Sequence, residues 1–264
     1  MPLAGPLFIV GIGTVWGWRH AFWIAGIPGL IMAGLILWLV RNPPHERTDD
    51  APKGSVIPLL KLRNIRFTMS LATLNMIIAA AIQGFVPLYL VSEIGLSNPM
   101  MGVVMTVQGV VMVGLSFIGP MWSDYIGRRA AIFGSYTLVL LGYLVLGFSN
   151  GVLPLVFIGA ALAGGFGGAG MLVMVVVPGE SAPVHLKATS MGFNAAVGEM
   201  IGAAGGSVLV GMAFDRVGLS VLPWLAIGAA ALGMLVTLGL RETAPKVVAR
   251  KAAAAPNQSP GAAI

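Results

Sequence analysis

Seven apolar stretches, each of about 20 residues, leave this chain few ways to fold. They cover residues 22–40, 67–91, 101–121, 130–148, 153–177, 189–213 and 219–240. A helix of that length crosses the hydrocarbon core of a bilayer, which is about 30 Å thick. Apolar residues surround every face of each stretch, whereas a water-soluble element would alternate them with polar ones. Only 9% of the residues are charged, against about 25% in soluble domains. The sequence therefore predicts an all-α, polytopic transmembrane bundle.

An eighth apolar stretch, residues 3–15, is short and begins almost at Met1. We interpret it as the end of a span whose beginning is missing, which gives about eight spans in all. Residues 1–41 are predicted to form the last two helices of a first bundle, the first of them truncated, and residues 42–66 a polar cytoplasmic loop between bundles. Residues 67–241 are predicted to form a six-helix bundle, and residues 242–264 a disordered cytoplasmic tail.

The basic residues predict how the spans are oriented, because Lys and Arg gather on the cytoplasmic side of membrane proteins. Of the fifteen, only Arg19 and Arg216 fall on the outer side in this arrangement of spans. The other thirteen fall on the inner side: Arg41, Arg47, Lys53, Lys61, Arg63, Arg66, Arg128, Arg129, Lys187, Arg241, Lys246, Arg250 and Lys251. We expect a multi-pass protein of the cell (inner) membrane with a cytoplasmic C-terminus.

Several other functions are disfavoured. The net charge of +6 would suit a nucleic-acid partner, but the basic residues sit at span ends and no strong nucleic-acid motif accompanies them. The absence of Cys excludes thiolate catalysis, and His20, His45 and His185 are too scattered for a metal site, so no metal or cofactor is expected. The run 165–170 fits G-x-G-x-x-G without the strand context of a dinucleotide site. We interpret its glycines as points of close helix approach.

Four short motifs lie at the ends of the predicted spans. Ser123-Asp124-Tyr125-Ile126-Gly127-Arg128-Arg129 forms a short loop that resembles the D-R-x-G-R-[RK] signature of the major facilitator superfamily. Residues 17–28 resemble the junction of that family's helices five and six, 180–192 its loop between helices ten and eleven, and 242–245 the end of its helix twelve. Pro120 and Tyr125 depart from the usual Gly and Arg of the signature. The order of the motifs aligns the chain with helices five to twelve, without helices one to four.

The resemblance implies a secondary active transporter and not an enzyme. A family member of this kind is expected to move a small organic solute, here an organic anion or sugar acid, with protons by alternating access of two bundles. Its partners would be the solute, protons and the lipid bilayer. Because only two helices of a first bundle are present, the alternative is a non-transporting half or membrane interaction subunit that pairs with an N-terminal half. The isolated chain is then expected not to transport.

Glu199 is the candidate proton carrier. It lies about ten residues into the stretch 189–213, roughly 15 Å deep at a rise of about 1.5 Å per residue. An acid at such depth costs at least a few kcal/mol and usually serves a pathway. Helical spacing predicts a face of small residues around it, including Gly192, Gly202 and Gly206. The alternative is a permanently protonated Glu bonded to a neighbouring helix.

Four amides inside the spans are candidate substrate ligands: Asn75, Gln83, Gln108 and Asn194. Amides need partners in hydrocarbon, and a cavity near the membrane midplane would supply them along with the solute. For each amide a hydrogen bond between helices is an equally good explanation.

The remaining candidates lie on the predicted inner face, where the resemblance implies a cytoplasmic gate. They are Asp124, Gly127, Arg128, Arg129, Glu180 and Lys187. A carboxylate is stabilised near a helix N-terminus, and Arg can bridge acids on neighbouring loops. Simple anchoring by basic residues would explain Arg128, Arg129 and Lys187, but it would not explain the two acids.

Overall fold

The computed structural model describes residues 17–39 and 57–253, and these residues form helices without any strand. The helices are α1 (Trp18–Leu39), α2 (Ile57–Lys61), α3 (Arg63–Ser92), α4 (Asn98–Ile126), α5 (Arg128–Gly147), α6 (Leu153–Ser181), α7 (Val184–Val217), α8 (Leu219–Thr237) and α9 (Pro245–Ala253). Short π-helical segments occur inside three of them, at Ile77–Ile82 in α3, Leu172–Val176 in α6 and Gly198–Gly205 in α7.

Helices α3 to α8 are each long and apolar enough to cross a membrane. They correspond to the six spans predicted between residues 67 and 240, so the all-α transmembrane fold is confirmed. Several of these helices begin or end beyond the predicted apolar stretch; α3, for example, starts at Arg63 and not at residue 67. A helix continues through polar residues once its backbone hydrogen bonds have formed. Residues 22–39 of the predicted span 22–40 lie in α1, whereas residue 40 and the stretch 3–15 fall outside the described residues.

Two segments predicted as loop or tail contain helix. Residues 57–66, assigned to the polar loop 42–66, form α2 and the start of α3; Leu59 and Ile65 are fully buried there. They pack against Ala182 and Leu186 in the α6–α7 connection, so burial of apolar side chains favours this helix over a free loop.

The predicted disorder of the tail 242–264 is wrong for α9. Its Val247 is only 5% exposed, and the Nζ atom of Lys246 lies 4.0 Å from the centroid of the Tyr125 ring at the end of α4. Composition alone suggested disorder, but two anchoring contacts hold this helix against the bundle. Residues 254–264 lie outside the described part of the chain.

Helix α5 packs against α4, α6 and α8. Its Tyr136 and Tyr143 are fully buried, and the Tyr136 hydroxyl donates a hydrogen bond to the Leu71 carbonyl of α3 at 3.1 Å. These two tyrosines, seven residues apart on one helix, therefore fill the core.

Glycines allow the helices to approach closely. A Cβ atom on Gly142 of α5 would lie 2.7 Å from the Gly159 carbonyl oxygen and against the Ala163 backbone nitrogen of α6. A Cβ atom on Gly165, in the glycine run of α6, would lie 3.0 Å from the Ser135 carbonyl oxygen of α5 and 2.6 Å from the Leu138 Cβ atom. The interpretation of that run as a packing surface is confirmed.

The Gly142→Ala variant is expected to lose stability, by roughly 1–3 kcal/mol for overpacking. The matched change Gly134→Ala, on the same helix, places its methyl group where no atom lies within 4 Å. It is expected to be neutral or stabilising, since Ala favours helix by up to about 1 kcal/mol over Gly. Thermal unfolding of both purified variants in detergent checks this; equal midpoints would contradict the close contact.

Candidate functional site

The connection between α4 and α5 is a single residue, Gly127, with a backbone φ of +104°. This conformation is strained for residues with a side chain. A Cβ atom at this position would also collide with the carboxylate of Glu242. Glycine at position 127 therefore permits both the sharp turn and the approach of an acid to the start of α5.

Arg128, which begins α5, joins two acids from different parts of the chain. Its side chain is 7% exposed. Its guanidinium meets Glu180 of α6 in a two-pronged contact, with Nε to Oε2 at 3.2 Å and Nη2 to Oε1 at 2.8 Å. Nη2 also lies 2.6 Å from Oδ1 of Asp124 in the last turn of α4.

The remaining nitrogen of the guanidinium is also engaged, because Nη1 donates to the Pro120 carbonyl at 3.0 Å and to the Ser123 hydroxyl. A guanidinium buried in this way is stabilised only when its donors are paired. The structure thus brings together Asp124, Gly127, Arg128 and Glu180, four of the six residues predicted for the gate. We call this group, with Glu242, the Arg128 cluster.

Glu242 is a member of the Arg128 cluster to which the sequence analysis gave no role. Its Oε1 accepts hydrogen bonds from the backbone nitrogens of Arg128 at 2.7 Å, Thr243 at 3.1 Å and Ala244 at 3.0 Å. A carboxylate at the start of α5 satisfies unpaired N–H groups and is favoured by the helix dipole. The 242–245 motif was recognised, but its spatial proximity to α5 is a tertiary feature that the sequence does not display.

Thr243, the residue after Glu242, is also joined to the Arg128 cluster by a hydrogen bond. The hydroxyl of Thr243 donates to Oε2 of Glu180 at 2.7 Å. Close by, the Asn64 amide of α3 donates to Ser181 at 3.2 Å and accepts from the backbone nitrogen of Arg241 at 3.0 Å. Helices α3, α4, α5 and α6 and the segment after α8 are therefore tied by polar contacts at one end of the bundle.

Arg129 and Lys187, the other two residues predicted for the gate, do not join this network. Both are exposed, and neither side chain makes an ion pair with another described residue. Only the backbone nitrogen of Arg129 reaches Glu242, at 3.4 Å. The sequence motif could not separate Arg128 from Arg129, because only the direction of each side chain distinguishes them.

The four candidate amides divide into two kinds. Gln83 and Gln108 line a common cavity of about 360 Å³ between α3, α4 and α6, together with Ala79, Met105, Gly109, Met112 and Phe166. Both side-chain polar atoms of Gln108, and Nε2 of Gln83, are buried without a hydrogen-bond partner among the described residues. Such unsatisfied groups cost about 1–3 kcal/mol each and call for an explanation.

Asn75 and Asn194 instead connect helices. The Asn75 amide donates to the Phe166 carbonyl of α6 at 3.1 Å, and the Asn194 amide of α7 donates to the Val173 carbonyl at 2.7 Å. Asn194 is fully buried, and its Oδ1 has no partner among the described residues. Asn75 borders the cavity through Phe166, whereas Asn194 does not line it.

Glu199 lies in the π-helical segment of α7 and is exposed on the surface of the bundle. It makes no ion pair or side-chain hydrogen bond with another described residue. The prediction that Gly202 and Gly206 share its face is wrong, since both are buried against α3, near Thr73 and Ile77. The wider turn of a π-helix changes the spacing on which that prediction rested. Within the described residues, no group of three or more His, Asp and Glu could hold a metal ion.

Comparison with known proteins identifies the family. A sequence profile of the Major Facilitator Superfamily matches residues 1–97 and 68–262, which together cover nearly the whole chain. The chain belongs to the Major Facilitator Superfamily. It is also similar to the Hexuronate transporter of Bacillus subtilis (strain 168), with 34% identity over 142 residues that cover 49% of this chain. The alignment spans 33% of that relative's length.

Membership of the Major Facilitator Superfamily confirms the family resemblance that the four motifs indicated. In this member of the superfamily, the Arg128 cluster joins α4, α5 and α6 at one end of the six-helix bundle. The amide cavity lies between α3, α4 and α6 of the same bundle.

Replacing Arg128 with Gln is expected to destabilise the protein by about 2 kcal/mol, because Glu180 and Asp124 lose their shared partner. The matched variant Arg129→Gln removes an exposed guanidinium one residue away and should change stability by no more than about 0.5 kcal/mol. Thermal unfolding in detergent compares the two. A midpoint for Arg128→Gln equal to that of Arg129→Gln would contradict a stabilising role for the pairing.

Proposed function

We propose that this chain belongs to a secondary active transporter that moves an organic anion of the sugar-acid class together with protons. The observation that carries the proposal is the pair of unsatisfied amides, Gln83 and Gln108, in one cavity of the bundle. Amides donate and accept hydrogen bonds, so they suit a solute with several hydroxyl groups. A hexuronate is such a solute, and the named relative supports this class.

The proposed transport cycle uses alternating access, in which two bundles rock about a solute held between them. The amide cavity supplies one side of the binding site. A second bundle would supply the other side and the cation that neutralises the solute's carboxylate, because the side chains lining the cavity carry no charge. Asn75 would contribute indirectly, by fixing Phe166 in the cavity wall. Asn194 is a weaker candidate for substrate contact.

The Arg128 cluster is the proposed cytoplasmic gate. Its ion pairs stabilise one arrangement of the helix ends, and breaking them would favour another arrangement. Arg129 and Lys187, which lie outside the cluster, could pair with acids that the cluster releases. The excess of Lys and Arg at this end supports a cytoplasmic side and a cytoplasmic C-terminus in the cell (inner) membrane.

Glu199 is the proposed proton carrier. It is an acid within a membrane-spanning helix, and it is exposed on the bundle surface without a partner among the described residues. A second bundle or a water-filled path against this face would allow it to take up and release a proton.

The second candidate function is that of a non-transporting half, or a membrane interaction subunit, that pairs with an N-terminal half. It is favoured by the single six-helix bundle among the described spans, since alternating access needs two. Uptake of solute by the 264-residue chain alone in proteoliposomes would remove this candidate. Uptake that appears only with a second polypeptide would support it.

The Gln108→Ala variant is expected to weaken binding of galacturonate about tenfold, because one good hydrogen-bonding group is worth about 1–2 kcal/mol at a buried site. Asn98→Ala provides the control, since this exposed amide begins the same helix α4 and does not line the cavity. Isothermal titration of the purified protein measures both. Equal affinities of wild type and Gln108→Ala would exclude the amide cavity as the solute site.

The Glu199→Gln variant is expected to abolish uptake driven by an inward proton gradient while it retains exchange of labelled solute across the membrane. The matched control is Asp215→Asn, an exposed acid on the same helix α7 near its end. Fluxes are measured in proteoliposomes with the chain alone and, where that is inactive, with a second polypeptide that supplies an N-terminal bundle. Gradient-driven uptake that survives in Glu199→Gln would remove this residue from proton coupling.

A further inference from the structure

A groove separate from the amide cavity lies where α4, α5 and α9 meet, beside the segment after α8. It has a volume of about 500 Å³ and is lined by Ile126, Arg129, Ala130, Phe133, Gly134, Leu238, Glu242, Val247 and Arg250. The groove contains Arg250, to which the transport proposal gives no role, and Arg129, which lies outside the Arg128 cluster. It therefore requires its own explanation.

The two arginines provide an unneutralised positive charge. Neither Arg129 nor Arg250 makes an ion pair with another described residue, and both are exposed. The acid in the groove wall, Glu242, is engaged by the backbone nitrogens of Arg128, Thr243 and Ala244. These donors are neutral, so Glu242 keeps its negative charge, but the two arginines still leave the groove with a net positive charge that can attract an anion.

The floor of the groove is apolar and continues onto the membrane-facing surface. Ile126 and Leu238 are 54% and 50% exposed, and Phe133 is partly exposed on α5. In a membrane protein, exposed apolar side chains on spanning helices contact acyl chains. A soluble anion would leave this floor uncovered, whereas a phospholipid would cover it and place its phosphate at the arginines.

The groove also lies at the right depth for a lipid headgroup. Arg129 is in the first turn of α5 and Arg250 is on α9, just beyond the last span, so both stand at the end of the hydrocarbon core. Basic pockets between helices at this level bind anionic headgroups. Arg also binds a phosphate group with two parallel hydrogen bonds. In a zwitterionic lipid the headgroup's own cation partly neutralises the phosphate, so an anionic lipid is favoured.

We propose that this groove is a binding site for an anionic phospholipid, whose phosphate contacts Arg129 and Arg250 and whose acyl chain lies along Phe133 and Leu238. The site does not depend on the solute or on proton coupling. In this arrangement the lipid lies between α5 and α9 and contacts both helices.

Native mass spectrometry of the full chain tests the site with two lipids of identical acyl chains, phosphatidylglycerol and phosphatidylcholine. The wild type should retain phosphatidylglycerol preferentially. The Arg250→Gln variant should lower that retention about fivefold, as expected for one cationic contact, and leave phosphatidylcholine unchanged. The double variant Arg129→Gln with Arg250→Gln should lose the preference.

The control is Arg216→Gln, which removes an exposed arginine at the opposite end of the bundle and should retain the wild-type preference. Circular dichroism of each variant establishes that it is folded. Equal retention of the two lipids by the wild type, or an unchanged preference in the double variant, would overturn the proposal. So would inorganic phosphate alone raising the thermal midpoint as much as phosphatidylglycerol, because the anion would then need no acyl chain.

Discussion

A peptide group inside lipid has no water with which it can form a hydrogen bond, and this constraint determines the rest of the structure. Every backbone N–H and C=O group in the hydrocarbon core must be satisfied within the chain, which makes helices the only solution for these spans. Lipid also removes the usual hydrophobic driving force between helices, because acyl chains are as apolar as Leu. Close packing and a few polar contacts therefore hold the bundle together, as at Gly142 and at Tyr136.

The same constraint applies to the side-chain amides of Asn and Gln inside the spans. In hydrocarbon an amide without a partner is costly, and the side-chain nitrogens of Asn75 and Asn194 avoid this cost by donating to carbonyls of α6. Gln108 does not, although it is only 3% exposed. Gln83 and Gln108 line one cavity and carry buried polar atoms without partners among the described residues, and in the proposed function the solute interacts with these amides.

The sequence predicts the spans well because crossing a membrane is a property of each stretch by itself. The apolar stretch 130–148, for example, corresponds closely to α5. Features that depend on neighbours are harder to predict. Glu242 was not assigned to the site, since its contact with the start of α5 joins residues more than a hundred positions apart. The face of Glu199 was assigned from ordinary helical spacing, which fails in the π-helical segment Gly198–Gly205.

Helix α6 connects the two polar regions of the bundle. Near its middle, Phe166 lines the amide cavity and accepts the hydrogen bond of Asn75; at its end, Glu180 binds Arg128. The π-helical segment Leu172–Val176 lies between these two points. A helix transmits displacement along its axis, and a π-turn is a place where its two parts can rotate relative to each other. The cavity wall and the acid bound to Arg128 therefore lie on one helix, on either side of its π-helical segment, so a rearrangement of the proposed gate would act on the same element that lines the proposed solute site.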